Sequence, residues 1–179
     1  MIRSLRLALL ISAALWLVIG LGVYACHAQE IAPPPGAVSF CIRFPAECVE
    51  SAATTATAAQ LTTAKAIDAQ VNASTIAEHD PEHFGRATFW TLIQDGRGDC
   101  KDFALTKLHL MRESGIPAGA MSILVVETRT QEMHAIALLN VDGVIWAFDN
   151  LREPAPLSAS PYWAKARRKF GSPWHWEKA

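Results

Sequence analysis

The feature that most constrains this chain is a change of hydrophobic period on either side of Gly115. Before it, Ala104, Leu105, Leu108 and Met111 recur at three and four residues, the spacing of a helix face. Asp99 offers an N-cap, Gly115 a left-handed exit and Pro117 a stop, so a helix is predicted from Cys100 to Glu113. After it come three strand-like runs: Met121–Thr128, Met133–Val141 and Val144–Phe148. Asp142-Gly143 between the last two is a hairpin signal. A helix followed by a meander predicts an α+β domain, with the helix that opens at Cys100 packed on an antiparallel sheet.

The N-terminus reads as an export signal. Arg3 and Arg6 precede an apolar run of 19 residues from Leu7 to Ala25, and cleavage after Ala28 is expected. The run is also long enough to span a bilayer, so an uncleaved anchor and membrane attachment remain an alternative for residues 1–28. Either way the rest of the chain is expected outside the cytoplasm, periplasmic or secreted, or anchored to the inner membrane. Removing residues 1–28 takes out two arginines and no acid, leaving 14 basic and 17 acidic residues, a formal charge of −3. That balance, with no basic stripe on a known motif, argues against a nucleic-acid partner. The one basic cluster, Lys165, Arg167, Arg168 and Lys169, reads as an exposed helix face.

Residues 29–40, with three consecutive prolines, are expected to be a flexible entry to a domain spanning 41–179. Leu61, Ala64, Ile67 and Val71 mark an amphipathic scaffold helix, with Gln60, Lys65 and Asp68 on its polar side. Asp80-Pro81 reads as a turn, and Pro81 counts against a metal pair at His79 and His83. Phe89-Trp90 is expected either to wall a cleft or to cap the core. Tyr162, Trp163, Phe170, Trp174 and Trp176 are too many aromatics to leave in water, so the tail is expected to fold back on the domain.

Three cysteines follow the signal. Cys41 and Cys48 are seven apart and are expected to close a short disulfide in an oxidising compartment. Cys100 is then the free thiol. At the first turn of a helix a thiol meets unpaired N–H groups and the positive end of the dipole, both of which favour the nucleophilic thiolate. His134 is the candidate base and Asp149 the group that orients it, with Asn150 the runner-up. Eight residues before the Asp142-Gly143 turn and six after it, His134 and Asp149 are read as rough cross-strand partners. Cys100 N–H, and Gln94 six residues upstream, are candidate donors to an oxyanion. A zinc site built from Cys100, His134 and Asp149 is the rival chemistry, without a second close ligand in sequence. A catalytically silent binding module is the rival class.

Val71-Asn72, Asp80, Phe84-Gly85, Trp90, the run from Gly98 to Ala104 with Lys107, Met133-His134 and Phe148-Asp149-Asn150-Leu151 resemble the bacterial transglutaminase-like cysteine proteinases. That group includes a periplasmic protease that releases biofilm adhesins. The resemblance implies a papain- or transglutaminase-like fold, with Cys100 as nucleophile, His134 as base and Asp149 as orienter. It implies hydrolysis of a peptide bond in an exported or surface protein, and leaves amide acyl transfer to an amine as the alternative. It also raises calcium, with Asp99 and Asp102 as the matching carboxylates. The chain departs from the family pattern at Lys101, where an acid is usual, and lacks the aspartate often found shortly before Trp90. Two carboxylates are too few for a full calcium shell unless carbonyls and waters complete it.

Overall fold

In the computed structural model, described for residues 29–34 and 36–179, the chain builds four α-helices around one face of a seven-stranded sheet. The proposed signal or anchor, residues 1–28, lies outside the described residues. Among the described residues no helix is long and apolar enough to cross a membrane.

The helices are α1 (Ala37–Arg43), α2 (Ala58–Ser74), α3 (Asp80–Phe84) and α4 (Cys100–Glu113). The strands are β1 (Glu30–Ile31), β2 (Ile76–Ala77), β3 (Arg97–Gly98), β4 (Met121–Glu127), β5 (Met133–Val141), β6 (Val144–Phe148), β7 (Ala155–Pro156), β8 (Trp163–Arg168) and β9 (Trp176–Lys178). The main sheet runs β1-β9-β8-β4-β5-β6-β7, every neighbouring pair antiparallel, and β2 and β3 form a separate parallel pair.

The α4 boundaries follow from its local signals. Asp99 Oδ1 accepts from Lys101 N, Asp102 Oδ2 accepts from Asp99 N, and Gly115 leaves the helix at φ 81°. In the β5–β6 hairpin Val141 pairs with Val144, and Asp142 and Gly143 both have positive φ, the twist-matching two-residue turn. Residues alternate across the sheet. Ile123, Val125, Ala135, Ala137 and Leu139 pack with Phe103, Leu108 and Met111 of α4 and Ile67 and Val71 of α2. Leu124, Val126, Ile136 and Leu138 form a second cluster, covered by Leu157, Tyr162 and Phe170.

Several elements differ from the sequence reading. The entry segment carries β1, paired with β9, and the start of α1, because Ala37 and Phe40 are apolar enough to join the core. The Asp80-Pro81 turn opens a short helix, with Pro81 in the first turn where its missing N–H costs nothing. The basic cluster lies on and just past β8, not on a helix; Arg167 bonds Glu177 at 2.8 Å and Lys165 bonds Glu127 at 2.7 Å across the sheet. The tail does fold back, as β8 and β9, and buries Trp176, while Trp163 and Trp174 remain exposed. Asp68 is buried in the interior rather than solvated on α2, since Lys107 Nζ lies 2.6 Å from its Oδ1.

Candidate active site

Cys100 is the first residue of α4, and the cap leaves its N–H out of the bonds that Asp99 makes with the first turn. Cys41 and Cys48 are joined in a disulfide between α1 and the short helix that follows it, leaving Cys100 as the free cysteine of the described residues. Cys100 and His134 line one cleft of about 280 Å³ with Pro34, Thr88, Trp90, Val125, Met133 and Ala135. Trp90 both caps the core and walls this cleft: the residue is 5 % exposed and its ring meets Trp176 edge-on. Gly36 lets the chain pass over that ring; a Cβ there would fall 2.7 Å from Trp90 Cδ1, and its φ is +90°.

His134 is the second residue of β5 and is buried. Its Nε2 lies 2.7 Å from Asp149 Oδ1, which assigns the other ring nitrogen to the thiol side. Burial pulls the imidazole down, but the bonds to Asp149 and to Cys100 outweigh it and raise the ring to about 9. Burial raises Asp149 in turn, and His134, Leu151 N–H and Tyr162 together overcome it, so its carboxyl sits below the usual range.

The His134–Asp149 contact is not a cross-strand pair. The register matches Ala137 with Phe148, the last pair of the hairpin, while His134 pairs with Val126 on β4. Asp149 lies past the end of β6, and its side chain reaches back along the sheet. Leu151 N–H, at 3.0 Å, and Tyr162 Oη, at 2.8 Å, both donate to it. Asn150 is not the partner of His134, and its Oδ1 is buried without a hydrogen bond.

Two further groups make contacts that no local sequence pattern announces. Asn72 Nδ2 bonds Asp149 O at 3.0 Å and Asp68 Oδ2 at 3.2 Å, tying α2 to the loop that carries Asp149. Tyr162, which in the sequence reads only as part of an aromatic tail, donates its hydroxyl to Asp149. Gln94 is exposed in the loop before β3 and is not among the residues that line the cleft.

Beside Cys100, one carboxylate oxygen from each of Asp80, Asp99 and Asp102 converges, all within 4.8 Å of one another. Asp80, at the start of α3, enlarges the pair read from sequence. Lys101 fills the same place. Its Nζ is 2.6 Å from Asp80 Oδ2, 2.5 Å from Asp99 Oδ2 and 3.8 Å from Asp102 Oδ2. Burial pulls the ammonium down, and the carboxylates of Asp102, Asp80 and Asp99 more than compensate, so it is held charged. Burial pushes Asp102 up to about 7 against the pull of Lys101. His79 and His83 do not meet at a metal position; His83 Nε2 bonds Asp95 Oδ2 at 2.9 Å.

A cysteine opening a helix that packs on an antiparallel sheet, with a buried histidine–carboxylate pair beside it, is the arrangement of a papain- or transglutaminase-like fold. The chain belongs to the bacterial transglutaminase-like cysteine proteinase family, whose sequence model matches residues 27–178. Calcium-bound LapG of Legionella pneumophila is similar in structure, with a TM-score of 0.52 and 22 % identity over 59 % of this chain and 63 % of that one. EGTA-treated LapG of the same organism gives 0.54 and 21 % over 62 % and 63 %. The match thus spans less than two-thirds of the length of those chains. No curated protein shows a significant match.

Proposed function

We propose that the chain is a thiol endopeptidase acting on an exported or cell-surface protein, with Cys100 as nucleophile, His134 as base and acid, and Asp149 as the group that orients the ring. The observation that carries this reading is the 2.7 Å His134–Asp149 bond on a ring that shares its cleft with the one free cysteine of the described residues.

An imidazolium beside the thiol favours the thiolate. Cys100 Sγ attacks the peptide carbonyl carbon, and Cys100 N–H at the start of α4 is placed to meet the negative charge that develops on the oxygen. The C–N bond breaks as His134 gives its proton to the leaving amine. A water then gives its proton to His134 and its oxygen to the thioester carbon, the C–S bond breaks, and the acid product departs while Cys100 returns as thiolate beside the protonated His134. Asp149 holds the tautomer and orientation throughout. Family membership favours water as the second acceptor over an amine. An exported substrate fits the Cys41–Cys48 disulfide, which needs an oxidising compartment.

The test compares proteins of the cell envelope and medium from cells carrying the wild-type chain and Cys100→Ala. One released fragment that disappears in the mutant is expected. With purified protein, iodoacetamide should modify Cys100 quickly at neutral pH and slowly in His134→Ala. Labelling indifferent to His134, with no Cys100-dependent fragment, would assign the chain to the binding modules instead.

A further inference from the structure

The acidic cluster beside Cys100 has the makings of a cation site, and it already holds a cation. Asp80, Asp99 and Asp102 come from the start of α3, the cap of α4 and its first turn, and one oxygen of each converges. Calcium binds such oxygens at about 2.3–2.6 Å and takes about six to eight of them. The point that would satisfy Asp80 Oδ2 and Asp99 Oδ2 is taken by Lys101 Nζ, at 2.6 and 2.5 Å, with Asp102 Oδ2 at 3.8 Å. Lys101 is 6 % exposed, so its ammonium is enclosed by the cluster rather than lying across its mouth.

All but one of the six oxygens are also committed to hydrogen bonds, the exception being Asp80 Oδ1, which is buried without a partner. Asp80 Oδ2 accepts from Phe89 N–H. Asp102 Oδ1 accepts from Thr91 N–H at 3.0 Å and its Oδ2 from Asp99 N–H at 3.2 Å. Three acids and one ammonium thus tie α3, the 89–91 segment and the start of α4 into one unit under the cleft. A calcium ion would have to expel the ammonium into solvent and find the rest of its shell from waters. The donor set does not fit the ion that the similar calcium-bound structure carries.

We propose that Lys101 is the resident cation of this cluster, replacing a divalent ion with a covalently attached ammonium, so that the folded chain neither needs nor binds calcium there. The inference concerns the architecture of the α4 N-terminus and stands whether or not Cys100 is the nucleophile.

The experiment uses the purified full chain with calcium chloride as probe. Isothermal titration calorimetry of the wild type should show no saturable heat, and its Tm should be the same in calcium as in EGTA. Saturable binding with a raised Tm would overturn the proposal. Lys101→Met leaves the three carboxylates without their cation, and its Tm should fall by about 5 °C or more; a Tm equal to wild type would count against the assignment. Lys101→Glu restores an acid and should gain what the wild type lacks, a Tm that rises by about 5 °C or more with saturating calcium and falls again with EGTA. Silence of that folded variant towards calcium would show that the charge at residue 101 does not choose the cation. If either variant fails to fold, the wild-type titration decides alone.

Discussion

Tyr162 donates a 2.8 Å hydrogen bond to Asp149 Oδ2, the oxygen opposite the one that holds His134. Its ring also stands edge-on to the imidazole, with centroids 5.5 Å apart. The carboxylate plane is therefore fixed by a residue from the tail, and the aromatic reading of that tail misses its polar contribution.

Tyr162→Phe keeps the ring and removes the hydroxyl. Asp149 then retains Leu151 N–H and His134 but gains freedom to turn. Loss of about 1.4 kcal/mol of orientation lowers kcat about tenfold. Tyr162 acts through Asp149, so KM for a peptide substrate should stay within about twofold and the circular dichroism spectrum should not change. A matched rise in KM with kcat intact would place Tyr162 in substrate binding instead.

In the proposed mechanism the His134 ring, raised to about 9 by Asp149 and Cys100 against the opposing effect of burial, sets an alkaline limit. Below that value the ring carries the proton that the leaving amine needs; above it the proton is lost, and kcat/KM should fall with a midpoint near pH 9. The same shift acts on folding. A histidine with an unfolded value of about 6.5 contributes stability that is fully present below that pH and is lost as pH rises through about 9. Asp149→Ala removes the first of the raising partners and leaves the burial, so the ring should titrate well below its wild-type midpoint. NMR titration of the His134 ring measures both, and a wild-type midpoint near 6.5 would refute the coupling.

What was legible in the sequence was what short range controls. The limits of α4 follow from Asp99 and Gly115, and the β5–β6 register follows from Asp142-Gly143. The α+β class follows from the change of period at Gly115 and the Cys41–Cys48 pair from a separation of seven, whereas the papain- or transglutaminase-like fold is what the family resemblance implies. Contacts made by chain reversal carried no such signal. Counting from the turn predicts a His134–Asp149 strand pair, whereas the contact forms because the chain bends after Phe148 and points the carboxylate back. Asp68 and Lys101 look like ordinary surface charges until Lys107, far along the chain, and Asp80, from a separate segment, are in place. Asn72 belongs to the family resemblance, but its bond to Asp149 O spans 77 residues and no local pattern announces it.

Asn72 joins the buried Asp68 to the backbone of Asp149 through one amide. Asn72→Ala leaves Asp149 O and Asp68 Oδ2 each short of a donor. A loss of about 1–3 kcal/mol is expected, read by urea denaturation. Hydrogen exchange should show faster opening at 149–151 than in the β4–β5 pairing; uniform change across the sheet would argue that Asn72 is a general packing residue.

The Asp68–Lys107 pair separates charge cost from packing cost. Both side chains are almost wholly enclosed, and Nζ lies 2.6 Å from Oδ1. Burial pushes Asp68 up and Lys107 down, each towards its neutral form, and the mutual bond and charge oppose that in both. Lys107→Met keeps much of the volume between α4 and α2 but strands the carboxylate, which should cost about 3–5 kcal/mol. Asp68→Asn with Lys107→Met removes both charges and retains a partner for Asn72, so most of that loss should return. Urea unfolding of the two variants measures the difference. A double variant as unstable as Lys107→Met would show that the lysine acts by filling space, and that the buried charge on Asp68 is not what the ammonium is there to balance.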